Sequence, residues 1–239
     1  MSTLTVIRHG QASFLAENYD KLSAMGERQA RLLGEYWVAR GARFDAVTYG
    51  PCERQIRTGE IVADAFREAG APWPEPVIDP DFDEFPAEAV VRRFLPELCA
   101  RYPDLAATVA RFQAEGDRGV KRRLFDRVLR EVSQRWLSGE ASAPDIPTWQ
   151  DFCHRIAAAV DRAKERCPKS SHAAVFTSGG PTAATARLAL SLGYESTLEL
   201  TWSPKNASFS EFLFTADRFS LHTFNATPHL DDPQLITYR

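Results

Sequence analysis

No apolar run in the chain approaches the roughly 18 residues a membrane span needs, and its amino terminus lacks a charged-then-apolar secretory pattern, so no membrane partner and a cytoplasmic location are expected. Cysteine is scarce. Cys52, Cys99, Cys153 and Cys167 are scattered, with no C-x-x-C pair and no histidine at zinc-ligand intervals, which argues against a disulfide framework or zinc site and for reduced thiols. Charge of one sign is also missing: 29 Lys and Arg against 32 Asp and Glu leave a net charge of -3, without the broad positive field that recruits a phosphate backbone, so no nucleic-acid partner is expected. There is no internal repeat and no low-complexity tract. What is present is ordinary globular composition, 44% apolar and 26% charged over 239 residues, enough to bury a sizeable core in one α/β domain.

The stretch Leu4-Thr5-Val6-Ile7-Arg8-His9-Gly10-Gln11-Ala12 organises the chain. Leu4 to Ile7 fits a buried parallel strand, and Gly10 lets the backbone turn directly after Arg8 and His9. Ligands in open α/β sheets gather at the carboxyl ends of strands, so this pair stands where chemistry is expected. A neutral imidazole can act there as nucleophile and a guanidinium can fork onto phosphate oxygens; a surface-facing Arg-His pair is the bland alternative.

Further strands are expected at Phe44–Tyr49, around Val77 and Ile78, and at Ala173–Thr177. Phe209–Phe214 and Phe219–Phe224 suggest a closing hairpin. Ser13 to Leu22 reads as a polar loop. Ser23 is a plausible cap for a helix closed by Gly41, and a second helix starts near Pro51 and ends at Gly70. Thr148 is placed to cap a helix through Ala163, and Ser178-Gly179-Gly180-Pro181 turns the chain into another running to about Leu192. Between these lie two or three helices from Pro86 to about Gly139. In this region Arg118, Lys121, Arg122, Arg123, Arg127, Arg130 and Arg135 crowd together. They read as a solvated helix face, with a cap that steers anions or binds an acidic partner as the second reading.

Several segments carry a resemblance to the histidine phosphatase superfamily, also called the phosphoglycerate mutase-like family. Arg8-His9-Gly10 resembles its R-H-G signature, and Leu22 to Ala30 is similar to its L-S/T-x-x-G-x-x-Q-A segment. Arg54-Gln55-Ile56-Arg57-Thr58 resembles its R-x-x-x-T helix. Asn206-Ala207-Ser208, Asn225 and His229-Leu230 resemble its C-terminal hairpin region. Residues from about 86 to 150 match no part of the pattern. The resemblance implies a three-layer α/β sandwich, its mainly parallel central sheet flanked by helices, forming a single domain over residues 1–239 with a helical insertion at about 86–147.

It also implies the chemistry. His9 would attack phosphorus and form a phosphohistidine that water later hydrolyses, while Arg8 and Arg54 hold the equatorial oxygens without a metal or other cofactor. The acid that protonates the leaving oxygen would be Glu84, with Asp83 or Asp81 as substitutes, because Phe82-Asp83-Glu84 stands where the family has L-x-E. One departure stands out. Where the family reads S-H-G-G, this chain reads Thr177-Ser178-Gly179-Gly180, so a serine replaces the second histidine of the site. Ser178 and Gly179 keep a phosphate-binding role at the helix start, but exchanging a charged donor for a neutral one would forfeit about 2 to 4 kcal/mol, a slowing of about 30- to 1000-fold.

The expected function is therefore hydrolysis of a small phosphorylated molecule, weak or narrow in range. A non-catalytic phosphoryl-ligand binding protein of the same fold is the alternative. An esterase reading of Ser178 fails because G-x-S-x-G needs a glycine where Phe176 stands. Nothing in the sequence fixes the oligomeric state, and a homodimer is left open.

Overall fold

The computed structural model describes residues 1–13 and 20–238. Most of the loop read from Ser13 to Leu22 lies outside the described residues. Two compact units form, one from Met1–Glu84 with His154–Arg239 and the other from Phe85–Cys153.

The larger unit is built on a six-stranded mixed sheet of order β3-β2-β4-β1-β5-β6. Its strands are β1 (Ser2–Arg8), β2 (Ala46–Tyr49), β3 (Val77–Ile78), β4 (His172–Thr177), β5 (Phe209–Phe214) and β6 (Phe219–Ala226). β3, β2, β4 and β1 run parallel, whereas β5 and β6 close the sheet antiparallel. β1 is central and almost wholly buried, as its unbroken apolar run requires. Its register sets Arg8 opposite Thr177, so His9 and Ser178 leave the sheet side by side.

Helices α1 (Ala24–Ala39) and α2 (Glu53–Glu68) supply Leu33, Trp37, Val62 and Phe66 to a core that also holds Ile7, Val47, Tyr49 and Phe176. Ser23 caps α1 by accepting from Gly26 N at 3.1 Å, and Gly41 and Gly70 follow the two helices at φ +63° and +65°, a left-handed backbone that only glycine adopts cheaply. α2 begins two residues later than expected because Cys52, not Pro51, is its N-cap.

In the second unit α3 (Ala87–Arg101), α4 (Pro103–Ala114) and α5 (Arg118–Leu137) bury Val90, Phe94, Leu98, Leu105, Val128, Leu129 and Val132. Phe85, Trp136, Trp149 and Phe152 form an aromatic cluster. Of the basic residues on α5, Arg127 and Arg135 pair with Glu131, and Arg135 also stacks on Tyr102. α6 (Trp149–Glu165) starts at Thr148, whose hydroxyl accepts from Asp151 N while the Asp151 carboxylate accepts from Thr148 N, a reciprocal cap. α7 (Gly179–Leu190) packs on β1 and β6 and is followed by α8 (Tyr194–Leu200).

Candidate active site

His9 is 5% exposed, and both ring nitrogens are committed. Nδ1 lies 2.7 Å from the Gly10 carbonyl, an acceptor only, so the proton sits on Nδ1 and Nε2 carries the lone pair. That lone pair accepts from Arg54 Nε at 3.1 Å. Burial, then the charges of Arg54 and Arg8, hold His9 well below the usual histidine range against the opposing pull of the Gly10 carbonyl. At neutral pH the ring is neutral, as a nucleophile must be.

The main chain of His9 and Gly10 is held from three sides. His9 N donates to the Thr177 carbonyl at 2.9 Å, and the His9 carbonyl accepts from Ala207 N at 3.1 Å and Asn206 Nδ2 at 3.3 Å. Gly10 N donates to Thr58 Oγ1 at 3.1 Å, and Thr58 in turn donates to the Arg54 carbonyl at 2.7 Å. A Cβ on Gly10 would stand 2.3 Å from the Gly26 carbonyl oxygen, and one on Gly26 would stand 2.1 Å from the Gln11 carbonyl oxygen. Two segments read separately in the sequence are thus one backbone contact.

The arginines are anchored differently. Arg8 is 8% exposed and donates through one terminal nitrogen to the Pro204 carbonyl. The start of α7 lies against it: a Cβ on Gly179 would be in ordinary contact with Arg8 Nε at 3.7 Å, and closer, at 3.2 Å, to the Thr201 carbonyl oxygen. Arg54 pairs with Asp20 at 2.5 Å, and Asp20 also accepts from Glu53 N, in the first turn of α2, at 2.8 Å. Arg57, by contrast, is exposed and pairs with Glu27 and Glu60.

Ser178 caps the start of α7 and is fully buried. Its hydroxyl accepts from Gln55 Nε2 at 2.7 Å. Glu84 reaches the same turn, its Oε2 accepting from Gly180 N at 3.2 Å. The loop that presents Glu84 is clamped by Arg155 of α6, which donates to the carbonyls of Asp81 and Asp83 at 3.2 Å and Glu84 at 3.4 Å. Of the two carboxylates read as substitutes for Glu84, Asp83 accepts from Cys52 Sγ and Glu84 N, and Asp81 pairs with Arg162. Burial pushes the Cys52 thiol up to about 12, so it is inert as a nucleophile.

Arg8, His9, Arg54, Glu84, Ser178 and Gly179 therefore gather at the carboxyl ends of β1, β2 and β4 and the turn after β3. Asp20, Gln55 and Arg155 join them without having been singled out in the sequence; the signal for Gln55 was its place inside the R-x-x-x-T segment beside Arg54. The remaining histidines lie elsewhere: His172 bonds Thr5 at the start of β4, His154 contacts Tyr194, His222 is exposed on β6, and His229 packs on Phe209 and Tyr36. Among the described residues no group of three or more His, Cys, Asp or Glu could hold a metal ion, and no helix is long and apolar enough to cross a membrane.

Solved structures share the architecture. A phosphoserine phosphatase from Entamoeba histolytica, solved with 3-phosphoglyceric acid, superposes with a TM-score of 0.61 at 18% identity, covering 96% of this chain and 100% of that one. A phosphoglycerate mutase from Bacillus anthracis gives 0.62 at 16% identity, covering 96% and 95%. In sequence, a 2,3-bisphosphoglycerate-dependent phosphoglycerate mutase of Caulobacter vibrioides is 37% identical over 78 residues, 30% of this chain. The match spans 33% of that relative's length. The sequence pattern of the histidine phosphatase superfamily (branch 1) matches residues 4–128 and 119–227, and with R-H-G at the end of the central strand and its partners gathered around it, the chain belongs to that superfamily.

Proposed function

We propose that the chain is a metal-independent phosphatase of small phosphomonoesters, working in the cytoplasm through a phosphohistidine at His9. The observation that carries this reading is the state of the His9 ring: buried, protonated on Nδ1 by its contact with Gly10, and holding its Nε2 lone pair within 3.1 Å of a guanidinium.

In the first half-reaction a phosphoryl group displaces the Arg54 contact on Nε2. The Nε2 lone pair forms the P–N bond as the ester P–O bond breaks, and the Glu84 carboxyl gives its proton to the leaving oxygen. Arg8, Arg54, the Ser178 hydroxyl and the N–H groups at the start of α7, Gly179 included, oppose the charge on the equatorial oxygens. In the second half Glu84, now a carboxylate, takes a proton from water as its oxygen attacks phosphorus and the P–N bond breaks. Ser178 supplies a neutral donor where the family places an imidazolium, so turnover is reduced or confined to substrates bound tightly elsewhere.

Rapid mixing with a labelled phosphomonoester such as p-nitrophenyl phosphate, quenched into base where phosphohistidine survives, tests the reading. Label on the wild-type chain that vanishes in His9→Asn supports it. Turnover without label, or label retained in His9→Asn, overturns it. Phosphate binding with neither turnover nor label leaves the non-catalytic phosphoryl-ligand binding protein in its place.

A further inference from the structure

We infer that Gln55 is the positioning residue that commits the Ser178 hydroxyl to donation toward the bound phosphoryl group. The inference rests on the phosphatase reading above and explains how a serine serves in this place.

The orientation of the Gln55 amide is fixed at both ends by backbone groups whose roles are not negotiable. Its Oε1 meets Cys52 N at 3.1 Å, a donor, and its Nε2 meets the Phe82 carbonyl at 3.3 Å, an acceptor. Flipping the amide would set donor against donor and acceptor against acceptor. Nε2 therefore donates its other hydrogen to Ser178 Oγ at 2.7 Å, and the serine hydrogen points elsewhere. The Phe82 carbonyl is taken, since it also accepts from Thr177 Oγ1 at 2.7 Å. The Ser178 carbonyl accepts from Thr182 Oγ1 at 2.8 Å. Among the described residues the Ser178 hydroxyl hydrogen has no acceptor, although Ser178 and Gln55 are both fully buried.

A buried hydroxyl is ordinarily hydrogen-bonded, because an unpaired buried donor is costly. Here that donor stands at the end of β4, next in register to His9, at the N-cap of α7, whose Gly180 N–H donates to the candidate acid Glu84 at 3.2 Å. Accepting from an amide polarises the hydroxyl and strengthens the bond it donates. A group that can only donate selects acceptor-only oxygens, those of a phosphoryl dianion, over protonated ones. Gln55 thus turns a side chain that could bond either way into a one-way donor, in register with Arg54 on the same turn of α2.

The test is a double-mutant cycle on orthovanadate binding, read by calorimetry with Ser178→Ala, Gln55→Met and the pair. Ser178→Ala weakens vanadate about 10-fold or more, the range for a hydrogen bond to a charged group. Gln55→Met weakens it about 3- to 10-fold in the wild-type background and adds nothing to Ser178→Ala. An equal loss in both backgrounds, or none in the first, overturns the inference, since a merely structural Gln55 acts regardless of Ser178. If Gln55→Met does not fold, a crystal of the wild-type chain with vanadate decides. Ser178 Oγ within about 3.0 Å of a vanadate oxygen, with Gln55 Nε2 still on Oγ, supports it; Oγ turned away overturns it. A wild-type chain that does not bind vanadate sinks the phosphoryl-transfer reading itself, whereas tight binding indifferent to both substitutions sinks only the role given to Gln55.

Discussion

Acid should unfold this protein through its histidines before its carboxylates, and His229→Phe isolates one of them. Burial lowers His229 from 6.5 to about 4, where its ring packs 6.4 Å from Phe209 and 6.1 Å from Tyr36. The unfolded chain takes up a proton near pH 6.5 that the folded chain refuses until about pH 4. Between those values the unfolded state binds more protons, so stability falls as pH falls, by about 1.4 kcal/mol per pH unit for each such group. For His229 alone the loss across the window is about 3 kcal/mol, a large share of a typical 5 to 15 kcal/mol. His9 and His172 are also held low, chiefly by burial, so they add to the slope in the same direction. Asp79 works in a separate window. Despite burial, its bonds to Arg162 and Asp81 N keep it below 3.8, so its contribution is present above that value and is lost only under stronger acid. Urea titrations at half-unit steps from pH 7 to 4.5 give the slope directly. Phenylalanine keeps the ring packing and removes the proton, so His229→Phe should flatten the slope by about 1.4 kcal/mol per pH unit inside that window. A variant with the wild-type slope would refute the reasoning, because His229 would then titrate alike in both states.

Two further outcomes follow from single contacts at the site. Thr58→Val keeps the shape of a fully buried side chain but strands the Gly10 N–H, a cost of about 1 to 3 kcal/mol; thermal melts should show a drop of about 2 to 12 °C, and an unchanged midpoint would mean that Gly10 finds another acceptor. Asp20→Asn removes the carboxylate that competes with phosphate for Arg54, so calorimetry should show phosphate binding about 2- to 5-fold tighter, the value of a partly exposed ion pair; weaker binding would show that Asp20 aims Arg54 instead.

Local grammar carried most of the fold. β1 was legible because a central parallel strand is buried on both faces and reads as an apolar run, and the caps at Ser23 and Thr148 were legible because a cap is a bond between near neighbours. β5 and β6 announced themselves as a hairpin, but nothing local says that β5 lies antiparallel beside β1. α8 went unread because its seven residues follow Gly193 without a side-chain cap. At the site, His9, Arg8 and Arg54 stood out in recognisable segments. Asp20 and Arg155 did not: each acts through contacts 33 to 34 and 71 to 75 positions away, and an arginine clamping backbone carbonyls looks in sequence like any charge on a helix.

The face-to-face glycines at 10 and 26 have a mechanical meaning. The carbonyl that tells the His9 imidazole which nitrogen to protonate belongs to Gly10, and Gly10 rests on the first turn of α1 with no room for a methyl group between them. The helix is therefore an anvil for the nucleophile. A methyl added at Gly26 would stand 2.1 Å from the Gln11 carbonyl oxygen and press on the turn that carries the Gly10 carbonyl, so part of the chemistry at residue 9 is written seventeen positions downstream.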